Sequence, residues 1–173
     1  MQFELEQAVE MLAGTPGVLD ALLRGKSAAW LNARKASDAF SPVDVLGHLI
    51  YAEKTDWIPR VRMILEHGES RTFEPFDRFG FHELIAGKDV GELLDLFAES
   101  RRECLQALSD LGVSAAQVEL YGVHPEQGRV TMRELLAAWA VHDLGHIAQI
   151  VKTMAGEYRE AVGSWRAYLS ILE

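Results

Sequence analysis

The sequence predicts an all-α fold: a four-helix bundle with a short additional C-terminal helix, in a single domain spanning residues 1–173. Three observations carry that expectation. Apolar residues recur at helical spacing through 3–24, 42–66, 89–111 and 132–155; no segment shows useful strand alternation; and the four segments match in length. At ~1.5 Å rise per residue, segments of about 22–25 residues are roughly 33–38 Å long. Rods of matched length bury their apolar stripes by lying side by side.

The first segment contains Gly14, Pro16 and Gly17, which are expected to bend or break it, and Gly25 suits its end. The second opens with Ser41 as N-cap, Pro42 in the first helical position and Asp44 in the first turn. Pro59 is expected to kink it. The third starts near Asp89 and stops at Gly112. The fourth opens on a capping box, Thr131 with Glu134, and ends at Gly156. A short helix is expected over about 160–172. Between these lie two long loops. Residues 68–88 hold Phe73, Phe76, Phe79 and Phe81, the pattern of a lid or of aromatics packed under a loop. Residues 112–130 carry Gly112, Gly122, Pro125 and Gly128 and read as a loop that links the third helix to the fourth.

Composition narrows the function. The net charge is −9, against a phosphate-backbone binder, which needs a basic patch. No apolar run of about 18 residues exists, so no membrane span is expected. The start, MQFELEQAVEML, lacks the basic region and apolar core of a secretory signal. Cys104 is the lone cysteine, which excludes an internal disulfide and fits a reducing cytoplasm.

The fourth helix carries WAVHDLGHIAQI. At 100° per residue, His142 and His146 lie about 40° apart and one turn apart on the stripe that holds Leu135, Trp139, Gln149, Ile150 and Thr153. Two imidazoles at i and i+4 can grip one metal ion, as in the HExxH helix, but HDLGH lacks that glutamate and is no metalloprotease motif. The pair by itself also fits two core histidines satisfied by hydrogen bonds. His48, at the edge of the stripe of Val45, Leu46, Leu49 and Ala52, can turn toward a neighbouring helix and complete a three-His site with an open position. His67, His82 and His124 read as solvated surface. A di-iron centre is excluded because neither Glu53 nor Glu134 stands three residues before a histidine, and no haem-attachment motif occurs.

The segments FSPVDVLGHLIYAE, VTMRELLAAWAVHDLGHIAQI and YREAVGSWRAYLSIL resemble the DinB superfamily, over nearly the whole chain. The helix-two histidine with the helix-four HxxxH is the most specific part of the likeness. The resemblance implies a bundle of up-down-down-up topology, usually dimeric, and a divalent metal (zinc, nickel or iron) held by His48, His142 and His146. Relatives include bacillithiol- and mycothiol-dependent transferases and isomerases, so a low-molecular-weight thiol is a second implied cofactor.

Two charged residues fall on apolar stripes. Glu53 lies among Leu46, Leu49 and Trp57, and Arg101 lies between Phe97 and Cys104 or Leu108. Each needs a partner if buried. They read as a structural ion pair or, alternatively, Glu53 is a general base beside the metal. The step of five from His48 to Glu53 places the two about 140° apart, against a shared set of metal ligands. Gln149, one turn beyond His146, is the second candidate catalytic residue, able to hydrogen-bond a water or substrate. Asp143 reads as an acceptor for an imidazole N–H or as a solvated charge, and Cys104 as a small core residue.

These features predict a metal-dependent hydrolase or thiol-dependent transferase acting on a small molecule. A non-catalytic metal-binding stress-response module is the alternative, with Glu53, Asp143 or His124 closing the metal shell. Helix four is also apolar on its back, through Ala137, Ala140, Leu144, Ile147, Ala148 and Val151. That face needs cover, from a twofold partner or from Trp165, Tyr168 and Leu169 of the same chain.

Overall fold

A computed structural model describes residues 2–173. Its long helices are α1 (Leu5–Leu23), α3 (Pro42–Thr55) continued by α4 (Trp57–His67), α6 (Val90–Leu111) and α7 (Met132–Gly156). Two one-turn helices, α2 (Ala28–Leu31) and α5 (His82–Ile85), lie in the connections. Each of α3, α6 and α7 starts on a complete capping box: Ser41 with Asp44, Asp89 with Glu92, and Thr131 with Glu134. In each, side chain and backbone exchange hydrogen bonds and satisfy donors that the first turn leaves orphaned.

Side-chain pairings fix the direction of every helix. Arg24 of α1 reaches Asp95 while Arg101 reaches Leu12, so α1 and α6 run antiparallel. Val45, Leu46 and Leu49 pack with Leu93, Leu94 and Phe97, and Val61 and Ile64 with Leu108, so α3–α4 runs parallel to α6. His48 meets His142, whereas Trp57 stacks on Trp139, so α7 is antiparallel to α3–α4. The topology is up-down-down-up, as the resemblance implied. It also explains the length of the loop at 68–88. Consecutive parallel helices need a connection that returns along the whole bundle, about 33 Å for a helix of 22 residues. The returning chain packs against α3: a Cβ on Gly80 would lie 2.4 Å from the Tyr51 ring, so a larger residue there would have to displace that side chain.

Four local expectations are corrected. Gly14, Pro16 and Gly17 do not break α1, which runs continuously with Pro16 inside it. Proline at 16 removes the N–H that would bond the Leu12 carbonyl, and Arg101 donates to that carbonyl at 2.8 Å instead. The second helix breaks at Asp56, three residues before Pro59, where the proline ring would crowd the preceding turn. The 112–130 link is not only loop, because β1 (Tyr121–His124) and β2 (Gly128–Thr131) form an antiparallel hairpin. Thr72 bridges to Val123, which ties the long loop to that hairpin. The 160–172 helix is a pair of 3-10 turns, Gly163–Tyr168 and Ser170–Leu172. α7 ends at Gly156, and Gly163, at φ +53° in the left-handed region, separates the turns of 157–162 from the 3-10 segment that follows.

At the centre of the bundle Arg101 is only 1 % exposed and uses all five of its N–H donors. Nε and Nη2 grip Glu53 at 2.9 Å each, Nη1 and Nη2 grip Asp143 at 2.6 and 3.1 Å, and Nη1 also binds the Leu12 carbonyl. Trp139 Nε1 donates to Glu53 at 2.9 Å. Burial works against the Arg101 charge, but hydrogen bonds to Asp143 and Glu53 outweigh it and hold its pKa above the ordinary arginine value. Replacing Arg101 with methionine strands two buried carboxylates and a backbone carbonyl. We expect R101M to lose about 3–5 kcal/mol of unfolding free energy in a urea titration at pH 7. A loss under about 1 kcal/mol would mean that the cluster contributes no net stability.

Candidate metal centre

His48 comes from the middle of α3 and His142 and His146 from successive turns of α7, antiparallel helices whose register brings the three rings together, with centroids 4.3–5.2 Å apart. Nε2 of His142 lies 3.1 Å from Nε2 of both His48 and His146. Donor atoms of all three lie within 4.8 Å of one another, the one such group of His, Cys, Asp or Glu among the described residues. A neutral Nε2 carries either a proton or a single lone pair, so His142 cannot form linear hydrogen bonds with both neighbours through its one Nε2 unless it is the shared acceptor. One metal ion accepts all three lone pairs at once. For Zn–N bonds of about 2.0–2.1 Å in tetrahedral geometry, adjacent nitrogens stand roughly 3.3–3.4 Å apart. The two distances to His142 lie within a few tenths of an ångström of that spacing, and the third pair lies within 4.8 Å, so the triad suits a single metal ion.

The surroundings are apolar and aromatic. Trp57 meets His142 edge-on at 5.2 Å, and Phe76 of the long loop meets His48 edge-on at 5.3 Å. Phe40 packs 6.0 Å from His48. Burial disfavours the imidazolium on all three rings: with nearby positive groups adding to it, His48 is lowered to about 4 and His142 to about 3, and His146 is lowered as well although Gln149 and Asp143 work against the shift. All three are neutral near pH 7, the form that binds metal. Nδ1 of His146 lies 2.9 Å from Gln149 Oε1, so the amide fixes that ring and leaves its Nε2 free to coordinate. Nδ1 of His48 and of His142 are buried without a hydrogen-bond partner.

The remaining sequence candidates divide clearly. Glu53 and Arg101 form the expected ion pair, and both Glu53 oxygens are engaged by Arg101 and Trp139. Those contacts leave no free oxygen for the general-base role. Gln149 touches His146, the contact of a residue that orients a ligand. Asp143 is neither solvated nor bonded to an imidazole: it is 1 % exposed and bound to Arg101. Cys104 donates to the Glu53 carbonyl at 3.1 Å and burial pushes its thiol up to about 12, so it is no thiolate nucleophile at neutral pH. His124 Nδ1 accepts from the Glu126 and Gln127 backbone at the hairpin turn, and His82 is exposed. A cleft of about 610 Å³ between α4 and α6 includes Cys104 and His67 but none of the three clustered histidines. Sequence reasoning overlooked Arg78 and the placement of Trp57 on His142; neither belongs to a motif, and both depend on packing between elements distant in sequence.

Because the folded state resists protonation of His48 and His142, it is stable relative to the unfolded chain above the ordinary histidine pKa of 6.5. Below that value the unfolded chain takes up protons first, so stability falls between about pH 6.5 and 3. We expect the urea midpoint of metal-free protein to drop across that window, and to drop less in H48Q and H142Q. Identical pH profiles in wild type and both variants would show that the rings are not held neutral by the fold.

The DinB superfamily profile matches residues 11–150. YfiT from Bacillus subtilis, described as a probable metal-dependent hydrolase with an unusual four-helix bundle topology, superposes with a TM-score of 0.74 at 18% identity, covering 88% of this chain and 87% of YfiT. TT2238, described as a four-helix bundle protein, gives a TM-score of 0.58 at 21% identity over 86% of this chain and 98% of its own. No curated protein sequence matches the chain at a significant level. The matched profile spans most of the chain and includes all three converging histidines: this protein belongs to the DinB superfamily.

Proposed function

We propose that His48, His142 and His146 hold one divalent metal ion and that the protein is a metal-dependent hydrolase or thiol-dependent transferase acting on a small molecule. The observation that carries this reading is the convergence of three Nε2 atoms from two helices, with no fourth protein donor grouped with them among the described residues. Three neutral imidazoles leave a coordination position open for a reactant. Zinc, nickel and iron all suit such a set. A bound divalent ion supplies Lewis acidity toward a carbonyl and lowers the pKa of a water or thiol. The chain's own side chains do the rest. Gln149 orients His146, Trp57 and Phe76 wall two of the rings with aromatic surface, and Arg101 keeps Asp143 and Glu53 occupied. YfiT's description supports hydrolysis, and what the family resemblance implies of thiol-dependent members supports transfer to or from a low-molecular-weight thiol. In a non-catalytic module a fourth ligand would close the shell, but Glu53, Asp143 and His124 are all engaged elsewhere. Net charge −9 and a lone cysteine favour a cytoplasmic protein with no nucleic-acid partner.

Elemental analysis of protein purified without an affinity tag tests the centre. We expect about one divalent ion per chain in wild type and a large loss in H142A, with circular dichroism unchanged, because a chain this long builds its core without metal. Failure of the wild-type protein to bind zinc, nickel or iron would overturn the reading. Loss of helical signal on chelation would make the metal structural.

We further place a twofold dimer on the face shared by α1 and α7. Trp165 and Tyr168 are 71 and 83 % exposed, so they do not supply the cover. Met11, Val141 and Leu144 remain open along a groove of about 650 Å³. Light scattering at micromolar concentration is expected to give twice the chain mass, and a concentration-independent single-chain mass would exclude it.

A further inference from the structure

Resting on the metal-centre reading above, we propose that Arg78 is an anion-binding residue at the mouth of the histidine centre, and that the small molecule bound there carries a carboxylate. Arg78 lies on the returning loop, two residues beyond the Phe76 that packs on His48. Its guanidinium carbon sits 5.3 Å from the centroid of Phe40, and Phe40 packs on His48. Its positive charge is felt by two of the three imidazoles, His48 and His146. The face of Phe40 holds the cation without consuming its N–H donors. Arg24, Arg129 and Arg133 on the surface each bind a carboxylate, whereas Arg78, like Arg62 and Arg166, binds none among the described residues, and of these three Arg78 alone acts on the histidines. Adjacent Asp77 accepts the Phe79 N–H and makes no ion pair with Arg78.

The charge count around the centre points the same way. Imidazoles bind metal as neutral ligands, so a divalent ion keeps its two positive charges. Arg101 is already answered by Glu53 and Asp143, which leave one negative charge beneath the site. With Arg78, these groups sum to about two positive charges, and no carboxylate is grouped with the three histidines among the described residues. A neutral ligand gains nothing from this arrangement. A carboxylate gains a planar fork of donors in the geometry it accepts best. Arg78 is exposed on a loop, so its replacement leaves the bundle intact.

The test uses the full chain loaded with cobalt(II), followed by the visible absorption of the bound ion. Acetate is titrated against malonate, succinate and glutarate at fixed ionic strength, in wild type, R78A and R78K. In wild type, at least one dicarboxylate is expected to perturb the spectrum about ten- to a hundredfold more tightly than in R78A, with R78K between them. Acetate, which has no second carboxylate for Arg78, is expected to change by less than about threefold. A cobalt spectrum with equal dicarboxylate affinities in wild type and R78A overturns the role of Arg78 alone. Equal losses for acetate and the dicarboxylates overturn it too, since Arg78 would then act only on the centre as a whole. Absence of any bound-cobalt spectrum in wild type overturns the metal centre and, with it, this proposal.

Discussion

The five-donor grip of Arg101 is the constraint on which the rest of the structure depends. One guanidinium from α6 joins a carboxylate from α3, a carboxylate from α7 and the backbone of α1, sandwiched beside Phe97 and Trp139. An arginine buried to 1 % exposure is tolerable only with every N–H satisfied, and that requirement fixes where each helix lies along its neighbours. The register it sets between α3 and α7 is also the register that brings His48 level with His142 and His146. Asp143 follows His142 directly in sequence, so α7 is held within one residue of a candidate ligand.

Pro16 and Arg101 are two halves of one arrangement. A proline inside a helix orphans the carbonyl four residues earlier and normally bends or breaks the rod. Here the orphan, Leu12, faces the core and receives an N–H from Arg101, so α1 continues as helix through Leu23. The unsatisfied acceptor that sequence reasoning treats as a break is a specific docking point for a cation from another helix.

Topology shapes the mouth of the site in a similar way. Parallel α4 and α6 oblige the chain to return along the bundle, and that return places Phe76 on His48 and Arg78 over Phe40. The loop is anchored at one end by Thr72 against the hairpin and seated by Gly80 against Tyr51. The aromatic residues that read either as a lid or as packing serve as packing at Phe73 and Phe81, which are buried, and as cover for the histidines at Phe76.

The sequence by itself determined the long helices, the capping box of Thr131 with Glu134 and the stripe that carries His142 and His146, because these depend on local spacing: a capping box closes within four residues, and i, i+4 neighbours share a face wherever the helix lies. It also marked Glu53 and Arg101 as charges on apolar stripes, each needing a partner if buried, and left open whether Glu53 meets Arg101 or the metal. What only the tertiary structure decided involves elements far apart in the chain. The turn of His48 toward α7, the capture of Asp143 by Arg101 and the rescue of Leu12 each require two or more helices in a definite register. The same holds for the break at Asp56, set by proline geometry together with the Asp56–Arg60 pair at 2.8 Å, and for the 121–131 hairpin, whose short strands pair with each other and with the returning loop. Periodicity reports which face of an element is apolar, whereas the partner of that face is set by packing, and the candidate centre is built from partners.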